Sequence, residues 1–599
     1  MTSVRQGETR ADDDAPPEGA RPRRGLHASR RRVLWHVAAL AIYGLALTTP
    51  FHEVWREDLS VVAPMYPRFE PPLSEQQSFW KWIGESEQRF VAWQVSRNAR
   101  VLLAEPGRLF DTEQCYPTPE VMALGEPMIA LGAVGAPFWL LTGDPLLTYN
   151  AVLAGAILLA ALAMYWLVSD WTGSQPAGVA AGLLYAFHPD KLGDINHYYI
   201  HDTAWTVLAL LFARRFFARG RWLDALALAL CCAMQMAGSF YPFVSATLLA
   251  GPILVWLGAH YGWRNLPPAP TLAAGLLVGA AGYWIFSPYL AMHAGELLAT
   301  RSELHFASGS ELLPGGGRFP GWIALLLMAG AFAPGRERGL ASGMGNPRWA
   351  LLAGAALVGA MAISGSSPEQ MPPLYRVLSS LLPGLDAIRR PNEILSGLHI
   401  CLSILAGLGA AALLARLPAH RATLGAGLLV ALVFVFTVRP AWLGLEPPVR
   451  YRALPMRPAD PELAFFESLA RGGNTGPLLE VPRGGIFLEA HRVLLTGYHR
   501  RRSSACVNAL APQTAEVWDL AERLPDPAAL AQLHAMGFTT LLAHHPARLE
   551  GGAADALAER IHAASRQPGS PLRRIHGIDS MTAYEIRLPT GRSAAPVDP

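Results

Sequence analysis

Eleven apolar stretches with few charged residues constrain the fold of this chain more than any other feature of its sequence. A helix that crosses the roughly 30 Å hydrocarbon core of a bilayer needs about 20 mostly apolar residues, and stretches such as 148–168 and 421–440 provide them. Of the 599 residues, 51% are hydrophobic and only 16% are charged, which excludes a soluble protein. Because backbone groups in lipid must be hydrogen-bonded within their own segment, we predict a polytopic all-α membrane bundle.

The predicted spans also define an orientation. They cover residues 33–50, 148–168, 176–189, 203–218, 222–238, 241–260, 269–290, 320–334, 348–364, 394–415 and 421–440. Arginines near the span ends concentrate on one side, for example Arg214, Arg215 and Arg264, and such residues mark the cytoplasmic side of a membrane protein. With the N-terminus inside, eleven spans place the C-terminal tail outside. The cytoplasmic loops explain the net charge of +3, so no nucleic-acid partner is expected.

Three regions of the chain differ in composition. Residues 1–32 are polar and typical of a disordered tail, here a cytoplasmic one. Residues 33–440 form the transmembrane domain, with a large first exterior loop at 51–147. In that loop, 76–103 has the spacing of an amphipathic helix, which would lie in the membrane interface. The apolar stretch 128–141 is too short to span, and we expect it to lie on or dip into the outer leaflet.

The third region, 441–599, is predicted to be an exterior α/β domain of ordinary size. Strands are expected at 477–481 and 538–544, a helix opened by Asp-Pro at 526–536, and a closing hairpin at 572–578 and 581–588. The five cysteines do not form a disulfide framework. Cys115 and Cys506 both fall on the predicted exterior side, but no spacing supports a bridge, and we predict two free thiols.

Several acids on the exterior side are candidates for chemistry. Glu57 and Asp58 follow the first span directly, although for either one taken singly a solvated loop acid is the simpler explanation. Glu126 lies in an apolar stretch at a predicted membrane interface, where an acid is costly unless it is paired or wet. The alternative for Glu126 is a favourable position in the first turn of a helix.

Basic residues and histidines of two exterior loops are the second group of candidates. Lys191 has the point charge to pair with a phosphate, and His197 the chemistry to shuttle a proton or bind a ligand oxygen. Arg389 and Arg390 break the positive-inside trend, and guanidinium groups suit a phosphate; interfacial anchoring or pairing with Asp386 is the alternative. A metal site from Asp194, His197, His201 and Asp202 has too little signature, so no metal and no cofactor are expected.

Several motifs together resemble a known family. They are Leu109-Phe110-Asp111, Tyr116-Pro117, Gly125-Glu126-Pro127, Gly143-Asp144-Pro145, Tyr149-Asn150, Phe187-His188-Pro189, Ser239-Phe240-Tyr241 and Arg389-Arg390-Pro391. They are similar to bacterial type C (GT-C) glycosyltransferase-like membrane proteins. The resemblance implies a multi-pass protein of the bacterial inner membrane that takes a sugar from a polyprenyl-phosphate donor, with a glycan, lipid or protein as acceptor. Membrane lipid is the other implied partner.

The resemblance also implies roles for particular residues. A carboxylate of the first exterior loop acts as base or orients the acceptor, and exterior basic residues hold the lipid phosphate. The segment Gly84-Glu85-Ser86-Glu87 matches the family's Gly-Asp pair with glutamate in place of aspartate, which adds Glu85 and Glu87 to the catalytic candidates. Asn150 is a further site candidate, through the Tyr-Asn motif.

Three functions remain open from the sequence. The first is a membrane glycosyltransferase, a hexosyl- or pentosyltransferase that works at the exterior face. The second is a catalytically inactive relative that acts in binding or assembly of cell-envelope glycans. The third is a lipid-linked glycan transporter, against which the absence of inverted-repeat halves counts.

Overall fold

The computed structural model describes most of the chain, with gaps. The described residues are 22–66, 74–294, 305–334, 339–341, 343–364, 371–382, 385, 388, 390–440, 443–473, 475–507, 512–545 and 553–587. Residues 1–21, most of the predicted N-terminal tail, and the candidate Arg389 therefore lie outside them. The first helix begins at Pro22 rather than at residue 33.

Helices dominate the described structure. In chain order they are α1 Pro22–Phe51, α2 Glu75–Ala104, α3 Ile129–Thr142, α4 Pro145–Thr172, α5 Gln175–Ala186, α6 Pro189–Gly193, α7 Tyr198–His201, α8 Ala204–Arg219, α9 Trp222–Gly238, α10 Phe240–Leu257, α11 Pro268–Ala294, α12 Trp322–Phe332, α13 Arg348–Ala362, α14 Pro373–Leu381, α15 Ser396–Leu414, α16 Ala419–Val438, α17 Asp460–Arg471, α18 Ile486–His499, α19 Pro512–Glu522, α20 Pro527–Ala535 and α21 Ala553–Ser565. The strands are β1 Val62–Met65, β2 Arg452–Pro455, β3 Leu478–Val481, β4 Thr540–His544, β5 Leu572–Ile578 and β6 Met581–Ile586.

Six of the described helices are long and apolar enough to cross a membrane. They are α1, α4, α10, α11, α15 and α16, while α3, α9, α12 and α13 are shorter apolar helices. The outer helices expose apolar side chains, as Leu424 and Leu428 of α16 do at 76% and 57%. Such a surface is stable in lipid rather than in water, so the chain is a multi-pass membrane protein. The predicted number of eleven spans stays a prediction.

The helices of the bundle approach each other closely where small residues face a neighbour. A Cβ at Gly409 of α15 would lie 1.7 Å from the carbonyl oxygen of Leu327 in α12. In α3, a Cβ at Gly132 would lie 2.4 Å from the Cβ of Asn98 in α2. Glycine is therefore required at both contacts. At the contact of α12 with α15 this is usual, because membrane helices pack without a hydrophobic driving force between them.

The helix predicted at 76–103 is confirmed as α2, but it is not a helix at the protein surface. Ser74 and Gln77 form a capping box at its start, and Trp93 is only 1% exposed. Arg97, also in α2, forms an ion pair with Glu113 at 2.6 Å and donates a hydrogen bond to the carbonyl oxygen of Leu109 at 2.8 Å. Tertiary packing on several sides buries the helix, although its sequence has an amphipathic pattern.

The C-terminal region contains a four-stranded sheet in the order β3-β4-β6-β5. β3 and β4 are parallel, β4 and β6 antiparallel, and β5 and β6 form the closing hairpin. Asp526 caps α20 by accepting a hydrogen bond from the backbone N–H of Ala528 at 3.1 Å. The strands, the Asp-Pro helix and the hairpin that the sequence predicts are all confirmed within two residues.

Three contacts join this C-terminal region to residues 51–147. β1 pairs with β2, α18 packs on α2, and Cys115 forms a disulfide with Cys506. The prediction of two free thiols is wrong. Backbone N–H groups of Cys115 and Tyr116 donate to the carbonyl oxygens of Ala505 and Ser503 at 2.8 and 2.9 Å. These hydrogen bonds bring together two cysteines that are 391 residues apart.

Candidate active site

The candidate site forms where α2 meets the loop between α5 and α8. A Cβ at Gly84 would lie 2.9 Å from Nδ2 of Asn196, and this amide donates to the Gly84 carbonyl oxygen at 3.3 Å. The close approach brings the turn of α2 that follows Gly84 against the 3-10 turn Ile195–His197. Glu87 lies in that turn of α2 and faces His197.

His197 is held between two carboxylates. Its Nε2 lies 2.8 Å from Oε2 of Glu87, and its Nδ1 lies 3.0 Å from Oδ1 of Asp194. Burial disfavours the charged imidazole, but the two carboxylates outweigh it and raise the pKa of His197 to about 10. Because both nitrogens donate to acids, this histidine is a fixed imidazolium at neutral pH and does not exchange a proton in the site.

Glu87 is the carboxylate that remains open to a substrate. Burial raises the pKa of its carboxyl, but His197 and then Arg390 hold that pKa below its ordinary value, so the group is ionised. Its side chain is 30% exposed, against 13% for Asp194. Within the described residues Oε1 of Glu87 has no hydrogen-bond partner, whereas Oε2 binds His197.

Arg390 supplies positive charge beside this carboxylate. Burial disfavours its charge, but Glu87, Glu393 and Asp194 raise the pKa of the guanidinium. No ion pair joins Arg390 to any residue that the structure describes, so its fork of N–H donors is available for a ligand. The structure therefore brings three predicted site residues, Glu87, His197 and Arg390, to one place.

Glu126 is another predicted site residue, and its charge acts on a residue that Glu87 also affects. Its Oε2 accepts a hydrogen bond from the backbone N–H of Phe240 at 2.8 Å, and burial raises its pKa to about 7. Part of the residue remains accessible, although protein surrounds the carboxyl. After burial, Glu126 and then Glu87 are the main groups that raise the pKa of Tyr199. Tyr199 thus lies within the electrostatic range of both acids.

Lys191 is enclosed rather than presented to a substrate. The residue is 1% exposed, with Nζ 3.7 Å from the ring centre of Tyr185 and 3.4 Å from Oγ1 of Thr203. Burial lowers the pKa of the amine to about 7, and burial raises that of the neighbouring Asp202 to about 6. Lys191 therefore packs against Tyr185 and Thr203 and stabilises the loop between α5 and α8.

A second polar network, which the sequence did not predict, surrounds the site on the side of α15. Asp190 accepts a hydrogen bond from Nε2 of His399 at 3.2 Å and lies 3.8 Å from Arg318. Arg318 also pairs with Glu393 at 3.0 Å. Of the residues in this network, only His399 could have been noticed from the sequence, because a histidine within an apolar span usually makes a polar contact or belongs to a site.

The other predicted site residues have local partners. Glu57 is exposed and has no ion pair with a described residue. Asp58 accepts hydrogen bonds from Ser60, which lower its pKa. Glu85 lies 3.8 Å from Lys81, one turn away on α2. Asn150 donates to the carbonyl oxygens of Leu59 and Val62 at 2.8 and 2.7 Å, a contact that fixes the start of β1.

Two groups of side chains have the types and spacing of metal ligands. One is Asp194, His201 and Glu393, and the other is His188, Asp190 and His399. Within each group, one ligand atom per residue lies within 4.8 Å of the others.

The sequence matches no protein-family profile and no curated protein. Among solved structures, the chain is similar over 94% of its length to the arabinofuranosyltransferase AftD from Mycobacteria, with 15% identity and a TM-score of 0.49, and it spans 40% of that protein. ArnT from Cupriavidus metallidurans bound to undecaprenyl phosphate matches 93% of this chain and 98% of its own, with 13% identity and a TM-score of 0.44. The Archaeoglobus fulgidus oligosaccharyltransferase matches 85% of this chain and 69% of its own, with 12% identity and a TM-score of 0.37. Identities this low carry over neither a substrate nor a reaction.

Proposed function

We propose that this protein is an integral-membrane glycosyltransferase that moves a sugar from a polyprenyl-phosphate donor to an acceptor hydroxyl at the exterior membrane surface. The observation that supports it most is that two charged groups lie near each other: the partly exposed carboxylate of Glu87 and the guanidinium of Arg390, which has no ion pair with a described residue. Glycosyl transfer from a phosphate needs both, since a hydroxyl loses a proton while a phosphate gains charge.

The chemistry assigns each group a step. The acceptor oxygen attacks the anomeric carbon while the bond from that carbon to the phosphate oxygen breaks. The hydroxyl proton passes to Oε1 of Glu87, and the polyprenyl phosphate leaves with the electron pair of the broken bond, next to Arg390. Because the pKa of Glu87 is lowered, it is a weak base. It therefore orients the hydroxyl first and accepts the proton late, when the sugar has oxocarbenium character.

His197 and Asp194 act on this reaction through Glu87. The imidazolium fixes Oε2 at 2.8 Å, so the carboxylate presents Oε1 in one orientation. Preorganisation of this kind lowers the cost of reaching the reactive geometry. His197 is a positioning residue in this scheme and Lys191 supports the loop, whereas the sequence predicted phosphate binding for Lys191 and proton transfer or ligand binding for His197.

The disulfide supports the exterior placement of the site. Bridges such as Cys115–Cys506 persist in oxidising compartments and are rare in the cytosol, and this one joins the first loop to the C-terminal domain. The loop residues around Glu87 and Arg390 were assigned to the same side from the arginine distribution. We therefore propose an inner-membrane protein with a periplasmic C-terminal domain.

The test separates donor binding from turnover. The purified full chain in nanodiscs is given radiolabelled polyprenyl-phosphate hexoses and pentoses with a total-lipid acceptor extract. We expect Arg390→Gln to weaken donor binding about tenfold or more, and Glu87→Gln to lose about 10²–10⁴-fold in turnover with donor binding kept.

Glu85→Gln is the matched control on the same helix, and we expect it to stay within twofold of the wild type. If the wild type binds none of the donors, the proposed donor class is wrong. If Glu87→Gln turns over normally, Glu87 is not the base.

A further inference from the structure

His201 is a buried histidine whose charged neighbour, Asp194, lies 3.8 Å away, beyond a direct hydrogen bond. It is 1% exposed, and neither ring nitrogen has a hydrogen-bond partner among the described residues. Leaving a buried polar group unsatisfied costs about 1–3 kcal/mol, and such a group in a native structure points to a water or ion that completes it. His201 lies at the end of α7, directly behind the candidate site.

The distance from His201 to Asp194 distinguishes an ion from a water. Nε2 of His201 lies 3.8 Å from Oδ2 of Asp194, beyond the 2.7–3.2 Å range of direct hydrogen bonds. Two atoms that share a water at about 2.8 Å each, at a tetrahedral angle, would lie roughly 4.5 Å apart. Two ligands of one metal ion, each at about 2.1 Å, lie at most roughly 4.2 Å apart. The separation fits the ion better.

Glu393 completes a set of three ligands. One carboxylate oxygen of Glu393 lies within 4.8 Å of the ligand atoms of Asp194 and His201, so a side-chain movement of at most roughly 0.6 Å brings it within the distance that one ion allows. The carboxylate already accepts hydrogen bonds from Arg318 at 3.0 Å and Asn392 at 3.1 Å, which orient it and leave lone pairs on both oxygens. Second-shell contacts of this kind are usual around protein metal ligands.

The surrounding charge favours a cation. Among the described groups, the carboxylates in this network are Glu87, Asp190, Asp194, Glu311 and Glu393. The cations are Lys191, His197, Arg318 and Arg390. Carboxylates outnumber cations, and a buried excess of negative charge is costly unless something compensates it.

The second group of potential ligands does not have the same freedom. Nδ1 of His188 accepts a hydrogen bond from the backbone N–H of Asp190 at 3.2 Å, and its Nε2 donates to the Phe319 carbonyl oxygen at 3.0 Å. Nε2 of His399 donates to Asp190 at 3.2 Å. These side chains satisfy one another without an ion.

We propose that Asp194, His201 and Glu393 bind one divalent transition-metal ion, with Zn²⁺ or Mn²⁺ as the class that two carboxylates and an imidazole suit. The ion ties the loop that carries His197 to the 3-10 turn Pro391–Leu395, which begins beside Arg390. It thereby fixes the spacing of the two halves of the site. The sequence argued against a metal because its four loop candidates had too little signature, and Glu393, which lies far away in the chain, was not among them. This proposal is independent of the transfer reaction.

The test measures metal binding directly. The full chain, purified in nanodiscs through a tag without histidine and stripped with EDTA, is titrated separately with Zn²⁺ and Mn²⁺ by calorimetry and elemental analysis. We expect one ion per chain and a higher thermal midpoint. We expect His201→Ala and Asp194→Asn each to weaken binding by more than the roughly 10–100-fold typical of second-shell changes.

His188→Gln is the matched control, because it alters a buried histidine of the same loop that belongs to the other group. It should keep the wild-type affinity. Circular dichroism of each metal-free variant shows whether it is folded, and Asp194→Asn keeps the side-chain shape if His201→Ala does not fold. Absence of a stoichiometric ion in the wild type overturns the proposal, and so does a loss of binding that follows His188 instead of His201.

Discussion

Substituting Glu87 by glutamine tests the electrostatics of the site without knowledge of its substrate. The change keeps the shape of the side chain and removes one of the two charges that hold His197. The contact is a hydrogen bond of 2.8 Å between charged groups, and such bonds contribute about 1.5–3 kcal/mol. Since the Glu87 side chain is 30% exposed, solvent screening places the expected effect at the lower end of that range.

The energy converts into a change in pKa. One pH unit corresponds to about 1.4 kcal/mol, so the lower end of that range means that the pKa of His197 should fall by roughly one pH unit from its value of about 10. It should stay above the ordinary histidine value of 6.5, because Asp194 remains at 3.0 Å.

The sign for stability follows from the raised pKa. Protonated His197 stabilises the folded state fully below pH 6.5, where both states bind the proton, and that stabilisation is lost as the pH rises through about 10. In Glu87→Gln the stability lost on deprotonation of His197 should be smaller than in the wild type, and the loss should be complete at a lower pH.

The assay is a histidine-selective NMR titration in nanodiscs between pH 6 and 10.5, with His197→Gln to assign the signal and Glu85→Gln as the control. Thermal unfolding over the same pH range gives the stability. A wild-type His197 that titrates near 6.5 would refute the proposed stabilisation of its charge by Glu87 and Asp194. A signal that Glu87→Gln leaves unchanged would also refute it.

Three further predictions concern groups around the site. Glu126→Gln should remove a decline in thermal stability between about pH 4.5 and 7, because above pH 7 only the wild type holds a buried charge there; an unchanged pH profile would contradict this. Cys506→Ser should lower stability by about 2–4 kcal/mol, and reducing agent should lower the wild type to the same thermal midpoint while leaving the variant unaffected. Glu113→Gln should cost about 3–5 kcal/mol in thermal unfolding, because it leaves the 1%-exposed side chain of Arg97 without its carboxylate. The exposed Glu120, changed in the same way, is its control and should have no measurable effect.

Periodicity and length predicted most of the secondary structure. The long apolar runs correspond to α1, α4, α10, α11, α15 and α16, because a span of lipid admits few structures other than a helix. In the C-terminal domain, alternation and the Asp-Pro start predicted β3, α20 and the β5–β6 hairpin. Helices α5 and α8 form at the predicted spans 176–189 and 203–218. However, neither is among the helices that are long and apolar enough to cross a membrane.

The partners of α2 could not be predicted in this way. Its sequence pattern is amphipathic, which is typical of a helix at an interface, yet α3, α18 and the loop at 194–197 enclose it. Burial of this kind depends on which distant segments dock, and a local pattern contains no information about them. The Cys115–Cys506 disulfide was missed for the same reason, since 391 residues separate its members.

The sequence by itself determined the chemical types of the site: acids, basic residues and a loop rich in histidine, all between apolar stretches. Glu57, Asp58, Glu85 and Glu87 were equivalent candidates, because each is an acid in the same loop. Only the tertiary structure distinguished them, through the close approach at Gly84 that brings Glu87, and not Glu85, against His197. The pKa of a carboxylate depends on the charges within a few ångströms of it, and folding decides which charges those are.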